Sequence, residues 1–251
     1  MKRKLWHYLL LFSVTVTGLS SCSDEADTKV ADSPKGIATA NHTATDDEPV
    51  IVIIGASTAA GRGASTPDSA WVNRLIAATV NNTKPLHYRN LALGGLTSYA
   101  AMPTGFVPPS GRPAPDTARN VTKALSYHPD LVMITYPSND VANNYANSEV
   151  LSNYRTVIKL LEQASVNYIV FGAQPRDLST LSKRKLLKTL SDSIASAFPD
   201  HHHDYYDMLA TSTYNIKPEL AAGDGIHVND TGHRLIFKSV LNHPIFIGTI
   251  D

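Results

Sequence analysis

The residue pattern predicts an α/β fold: three layers, α/β/α, with a parallel five-stranded sheet in the middle. Three observations carry this. Val50-Ile51-Val52-Ile53-Ile54 is a continuous β-branched run ending at Gly55, as expected of a strand buried on both faces. Similar runs recur along the chain, with helical patterns between them, and that alternation implies parallel strands joined by helical crossovers. Residues 49–251 amount to one domain's worth of chain, enough for a proper core.

Taken in order, strands are expected at residues 49–54, 86–91, 131–136, 168–171 and 203–206. A helix starts at Trp71-Val72 with Leu75 and Ile76 on its apolar face. Further helices are expected at 117–125, 150–161, 181–197 and 230–241. Residues 102–116 break the rhythm, because Pro103, Gly105, Pro108, Pro109, Gly111, Pro113 and Pro115 forbid regular structure. So long a connection reads either as a lid or substrate-binding loop, or as a stiff surface excursion.

The N-terminus lies outside the fold. Met1-Lys2-Arg3-Lys4 is a basic start, and residues 5–19 form an apolar run too short and interrupted to span a bilayer comfortably. Leu19-Ser20-Ser21-Cys22 places small residues before the chain's single cysteine and resembles a bacterial lipobox. That resemblance implies a signal peptide over 1–21, lipid attachment at Cys22 and anchoring to the cell envelope, at the outer membrane or cell surface. The alternative is an ordinary secretory signal with an incidental Cys. A lone cysteine favours the lipid, since one free thiol elsewhere in an exported protein invites stray pairing. Residues 22–48, rich in Asp, Thr, Ala and Ser, read as a flexible tether. Their opening Ser23-Asp24-Glu25 resembles surface-export signals of some Gram-negative lipoproteins. Lys plus Arg and Asp plus Glu number 22 each, with no basic block, which argues against nucleic acid as a partner.

The chemistry-bearing residues follow the predicted strands, on the edge where open α/β sheets place ligands. Ser57 comes after the first strand and two small residues, Gly55 and Ala56. Such a turn lets a serine stand clear with neighbouring N–H groups free to bind a negative oxygen. Asn90-Leu91-Ala92-Leu93-Gly94-Gly95 follows the second strand and offers a glycine N–H, or only a tight turn. Asn139, after the third strand, can donate its side-chain amide or simply satisfy its turn. Near the C-terminus, Asp224-Gly225-Ile226-His227 sets an acid three residues before a histidine. If the fold joins the ends, Ser57 attacks, His227 takes its proton and Asp224 holds the imidazole in one tautomer. The blander alternative for His227 is a surface residue near the Asn229 or Asp230 helix cap.

Together these blocks resemble the SGNH/GDSL hydrolase superfamily over nearly all of residues 49–241. Its four named residues fall in the family's order at Ser57, Gly95, Asn139 and His227. Gly95 is preferred to Gly94 because it stands five residues after Asn90 and two before Thr97. The closing block, Asp224-Gly225-Ile226-His227-Val228-Asn229-Asp230-Thr231-Gly232-His233, is the most specific. The resemblance implies a flavodoxin-like fold and a serine esterase with Ser57, Asp224 and His227 as catalytic triad. Ser57, Gly95 and Asn139 form its oxyanion hole, and neither metal nor organic cofactor is required. Where the family reads Gly-Asp-Ser, this chain has Ala56. That Asp is outside the family's triad, so the expected effect is confined to hydrogen bonding around Ser57.

Two features stand apart. His201-His202-His203-Asp204 looks like a metal cluster, but neighbours on an extended segment point to alternate sides. A surface loop entering the last strand is the preferred reading over a metal-dependent hydrolase. Arg176, after the fourth strand, is read as a substrate-binding group; otherwise it pairs with Asp177 or faces solvent. The family name selects no substrate. A lipid-anchored enzyme outside a bacterium meets acetylated polysaccharide or oligosaccharide, so a carbohydrate O-acetylesterase is the first expectation. A lipid ester or thioester hydrolase is the second. The rival from another class is a non-catalytic glycan-binding lipoprotein, favoured only by Ala56.

Overall fold

The computed structural model describes residues 48–136 and 138–251. The signal segment, Cys22 and the tether up to residue 47 lie outside the described residues, as does Pro137. The strands are β1 (Val50–Gly55), β2 (His87–Asn90), β3 (Leu131–Thr135), β4 (Asn167–Phe171) and β5 (His202–His203). The helices are α1 (Trp71–Thr79), α2 (Val121–Leu125), α3 (Asn139–Ala142), α4 (Asn147–Gln163), α5 (Leu181–Ala197), α6 (Tyr206–Leu209), α7 (Asp230–Leu241) and α8 (Pro244–Ile250).

The sheet runs β2-β1-β3-β4-β5 and every neighbouring pair is parallel. This is the flavodoxin-like order, in which the chain leaves β1 first to one side and then to the other. Side chains of successive residues go to opposite faces. Val50, Val52, Ile54, Val132, Ile134 and Val170 pack with buried residues of α2, α4 and α5. Ile51, Ile53, Leu131, Met133, Ile169 and Phe171 pack with those of α1, α7 and α8. Burial on both faces is why β1 and β3 read as unbroken apolar runs rather than alternating ones.

Two of the longer helices, α5 and α7, begin where a side chain accepts orphan N–H groups. Thr180 accepts from Lys183 before α5, and Asn229 accepts from Thr231 and Gly232 before α7. Both helices occupy the expected residues. The expected helix over 117–125 is shorter, starting at Val121 behind an Asn120 cap, while α4 extends past 150–161 at both ends. The expected last strand needs correction. Only His202 and His203 pair with β4, and the chain then turns where Asp204 accepts the Tyr206 N–H, so Tyr206 starts α6. His203 is also no surface residue: it is 4 % exposed, against Phe171, Tyr205 and His243. Among the described residues no three His, Cys, Asp or Glu side chains converge as metal ligands.

Residues 102–116 contain no helix or strand, as the prolines dictate, and they are strapped down. Arg112 forks onto the Glu149 carboxylate at the start of α4, with Nη2 to Oε2 at 2.9 Å, and its guanidinium lies 4.0 Å from the Tyr145 ring centroid. Phe106 packs on Tyr99, and the Asp116 N–H donates to Ala100 O. A bidentate, ring-stacked arginine ties this excursion to the start of α4.

Burial sets the acid response of the fold. It pushes the His203 imidazole down to about 3, and it also lowers His202, His233 and His243. Between about pH 3 and the ordinary value of 6.5, the unfolded chain therefore binds a proton at His203 that the folded chain does not, and the other three rings act in the same sense. The stability they contribute is complete above pH 6.5 and lost as the pH falls. Asp140 acts in the opposite sense, since burial raises it to about 6 and its neutral form is the favoured one. With four histidines against one acid, the melting temperature is expected to fall between pH 7 and pH 4. His203→Phe, which keeps a ring against Phe171 and Tyr205, is expected to flatten that slope in thermal melts.

Candidate active site

The chain reaches the site at the end of β1. A Cβ on Gly55 would lie 2.5 Å from both Cγ2 and O of Thr135, so only glycine lets β1 and β3 stay in register there. Ala56 is buried within the apolar cluster on the α4 side, and its N–H bonds Thr135 O. The chain then coils once, with Ala60 N–H to Ala56 O and Arg62 N–H to Ser57 O. As at any first helical turn, the leading N–H groups have no partner within the coil. That of Ser57 meets no protein acceptor among the described residues.

Ser57 Oγ lies 2.8 Å from His227 Nε2, and His227 Nδ1 lies 2.6 Å from Asp224 Oδ2. Asp224 Oδ1 accepts the N–H groups of Ile226 and His227 at 2.9 and 2.8 Å, which is why acid and base stand three residues apart. Burial alone pushes the Asp224 carboxyl up, but these bonds outweigh it and hold it at about 2. An ionised Asp224 accepts the Nδ1 proton, leaving Nε2 to accept from Ser57.

The loop carrying His227 is bound to the rest by its neighbours. Ala222 N–H donates to His227 O, and Ala221 pairs with Val228 as an antiparallel bridge. Gly63 packs underneath at φ +93°, where a Cβ would sit 2.2 Å from Val228 O and 2.8 Å from His227 Cβ. Ser65 gives its N–H and hydroxyl to the Asp230 carboxylate. Buried His233 lies 3.0 Å from Arg62 O through Nε2 and accepts the Trp71 N–H through Nδ1.

The loop after β2 brings up Gly94 and Gly95. A Cβ on Gly94 would stand 3.8 Å from Ser57 Cβ, and Gly95 takes φ +84°, a conformation glycine allows without strain. The Gly95 N–H also has no protein acceptor among the described residues. Asn139, opening α3, donates Nδ2 to Leu96 O at 2.8 Å and accepts from Arg176 Nη1 at 3.1 Å through Oδ1. An amide nitrogen carries two hydrogens, so one remains free. A guanidinium only donates, so Arg176 selects the amide face in which Oδ1 points towards it. Arg176, read from sequence as a substrate-binding group that otherwise pairs with Asp177 or faces solvent, stands at the site edge with its guanidinium on Asn139. Asp177 Oδ1 is taken by Asn215 and Ile216. Burial lowers the Arg176 pKa and the Asp224 charge raises it.

All five residues singled out in the motif blocks, Ser57, Gly95, Asn139, Asp224 and His227, therefore come to the C-terminal edge of the sheet. Two others escaped the sequence reading. Asp140, 1 % exposed, accepts the Ser98 N–H at 3.0 Å and the Ser98 hydroxyl at 2.6 Å, and Asn153 donates to the same hydroxyl. This network ties the Asn139 loop to the Gly95 loop. Gln174, also 1 % exposed, lies between the loops of Ser57 and His227. Its sequence signal was only its place after a strand.

Residues 53–235 match the GDSL-like lipase/acylhydrolase family. The chain belongs to that family. It is accordingly an ester-hydrolysing enzyme. Solved structures with the same fold include the psychrotrophic esterase EstA from Pseudoalteromonas sp., 18% identical, covering 78% of this chain and 96% of its own, at a TM-score of 0.56. The lipase/acylhydrolase from Enterococcus faecalis is 19% identical over 78% of this chain and 95% of its own, also at 0.56. A GDSL-like lipase from Bacteroides thetaiotaomicron is 17% identical over 82% and 92%, again at 0.56. No curated protein matches the chain.

Replacing Asp140 by Ala would leave the Ser98 N–H and hydroxyl buried without their acceptor. The expected cost is about 1–3 kcal/mol, read as a lower urea midpoint with unchanged slope.

Proposed function

We propose that this enzyme is a serine esterase that removes acyl groups, acetyl foremost, from carbohydrate. The observation that carries the serine mechanism is the unbroken hydrogen-bonded chain from Ser57 through His227 to Asp224. Ser57 Oγ attacks the ester carbonyl carbon while its proton passes to His227 Nε2. Asp224 stabilises the imidazolium. The carbonyl oxygen becomes an oxyanion held by the N–H groups of Ser57 and Gly95 and by the free amide hydrogen of Asn139. Collapse breaks the bond to the alcohol oxygen, which takes the proton from His227 and leaves. Water then gives a proton to His227, attacks the acyl-serine, and the acid departs as Ser57 regains its proton.

The substrate reading rests on the surroundings of the site and on the N-terminal pattern. Of the six exposed large apolar side chains among the described residues, Val80, Leu93, Val107, Leu181, Leu186 and Ile247, only Leu93 belongs to a loop bearing one of the motif residues. A short acyl group and a hydroxyl-rich alcohol suit such surroundings better than a long chain. The N-terminal lipobox pattern supports a place on the cell envelope, where acetylated polysaccharide is met, with attachment through Cys22.

Treating the full chain with a fluorophosphonate is expected to add one adduct, seen by intact mass, that is absent from Ser57→Ala and slowed in His227→Ala. No adduct on folded wild type sinks the serine mechanism. Asn139→Ala is expected to lower kcat by about 10²–10³-fold. Among p-nitrophenyl esters, acetate is expected to outpace long-chain substrates. The reverse order would overturn the acetyl preference and move the assignment to lipid esters.

A further inference from the structure

The loop after β4 touches three of the four other loops that carry motif residues. Arg176 reaches Asn139, the Asp177 N–H donates to Gly225 O, and Gln174 makes two bonds of its own. Thr58 Oγ1 donates to Gln174 Oε1 at 2.8 Å, and Gln174 Nε2 donates to Ile226 O at 2.8 Å. Thr58 directly follows Ser57, and Ile226 directly precedes His227. One amide therefore spans the neighbours of nucleophile and base, 116 residues from one and 52 from the other.

We propose that Gln174 is a positioning residue for acyl transfer, a buried strut that holds Ser57 Oγ and His227 Nε2 at proton-transfer distance. This rests on the serine-esterase reading. Three features of the amide fit the role. It is almost wholly buried, and a buried amide is tolerated only when its polar atoms are paired. Its two ends differ in kind, Oε1 accepting and Nε2 donating, and they meet a hydroxyl that can donate and a carbonyl that can only accept. The loops it joins also turn at glycines. Gly61 and Gly63 follow the nucleophile and Gly223 and Gly225 flank Asp224, all at positive φ. Ser57 and His227 stand on separate turns, so the distance between their reacting atoms is set by the cross-links that join those turns. Ser57 and His227 share one hydrogen bond of 2.8 Å, and a displacement of about 1 Å at such a contact costs about 10²-fold in rate.

The test uses the full chain with p-nitrophenyl acetate, alongside fluorophosphonate labelling of Ser57. Gln174→Leu and Thr58→Val are each expected to lower kcat by about 10- to 100-fold, with KM within about twofold of wild type. Because both cut the same strut, the double variant should lose little more than the worse single one. Thr58→Ser, which keeps the hydroxyl, should restore the rate. Gln174→Glu is the sharpest variant. Its protonated carboxyl can accept from Thr58 and donate to Ile226 O, whereas its carboxylate faces that carbonyl with a charge. Its activity relative to wild type should climb as the pH falls through the carboxyl's titration, which burial shifts upward. A residue that only fills the core would lower the melting temperature and leave kcat and that pH ratio alone.

Folded variants with wild-type kcat, or Gln174→Glu tracking wild type at every pH, overturn the strut while leaving the esterase reading intact. If Gln174→Leu does not fold, the Thr58→Val and Thr58→Ser pair decides by the same criterion. An unlabelled, inactive wild type defeats the esterase reading and the strut with it.

Discussion

The hydrogen bond between Ser57 and His227 closes a loop of 170 residues, and much of the structure serves to make that closure rigid. The first βα unit and α7 are packed together. Trp71, Val72 and Leu75 of α1 belong to one apolar cluster with Val228, Ile236 and Val240 around α7. Polar ties lie just beside the catalytic pair, from Ser65 to Asp230 and from His233 to Arg62 and Trp71. Gly63 fits directly beneath Val228 because it has no side chain. Apolar burial brings the two ends together, being non-directional, and the short polar bonds then set the distance.

Two aspartates at the same sheet edge show how surroundings divide one residue type into two states. The Asp224 side chain is 47% exposed and accepts bonds from His227 and two backbone N–H groups, and it stays ionised to about pH 2. Asp140 is 1 % exposed, and although Ser98 donates to it twice, burial prevails and lifts it to about 6. The solvated, multiply bonded acid suits a group that must balance an imidazolium. The buried one suits a joint between two loops.

The departure at Ala56 has a plain structural account. Its methyl group belongs to the apolar cluster with Val52, Ile54, Tyr99 and Ala100, while the backbone bond to Thr135 O keeps the turn into Ser57 in place. The link between the Ser57 loop and the other loops is carried by neighbours instead, through Thr58 to Gln174 and through Ala59 O to the Asn90 amide.

The residue pattern by itself determined the fold class and most of the elements. A parallel sheet buried on both faces forces unbroken apolar strands, so β1, β3 and β4 were legible, and the helical pattern located α5 and α7, the latter behind a cap at Asn229. It also named the motif residues, because chemistry demands particular side chains after particular strands. Short elements were not legible: α3 and α6 are single turns with no room for a period, and Tyr205 and Tyr206 have strand-like propensity that the Asp204 turn overrides. Nor were the supports of the site. Gln174, Asp140 and the Asn139-directed role of Arg176 are defined by partners 37 to 116 residues away. No local spacing encodes such pairings, since they exist only once the sheet has brought its C-terminal loops to one edge.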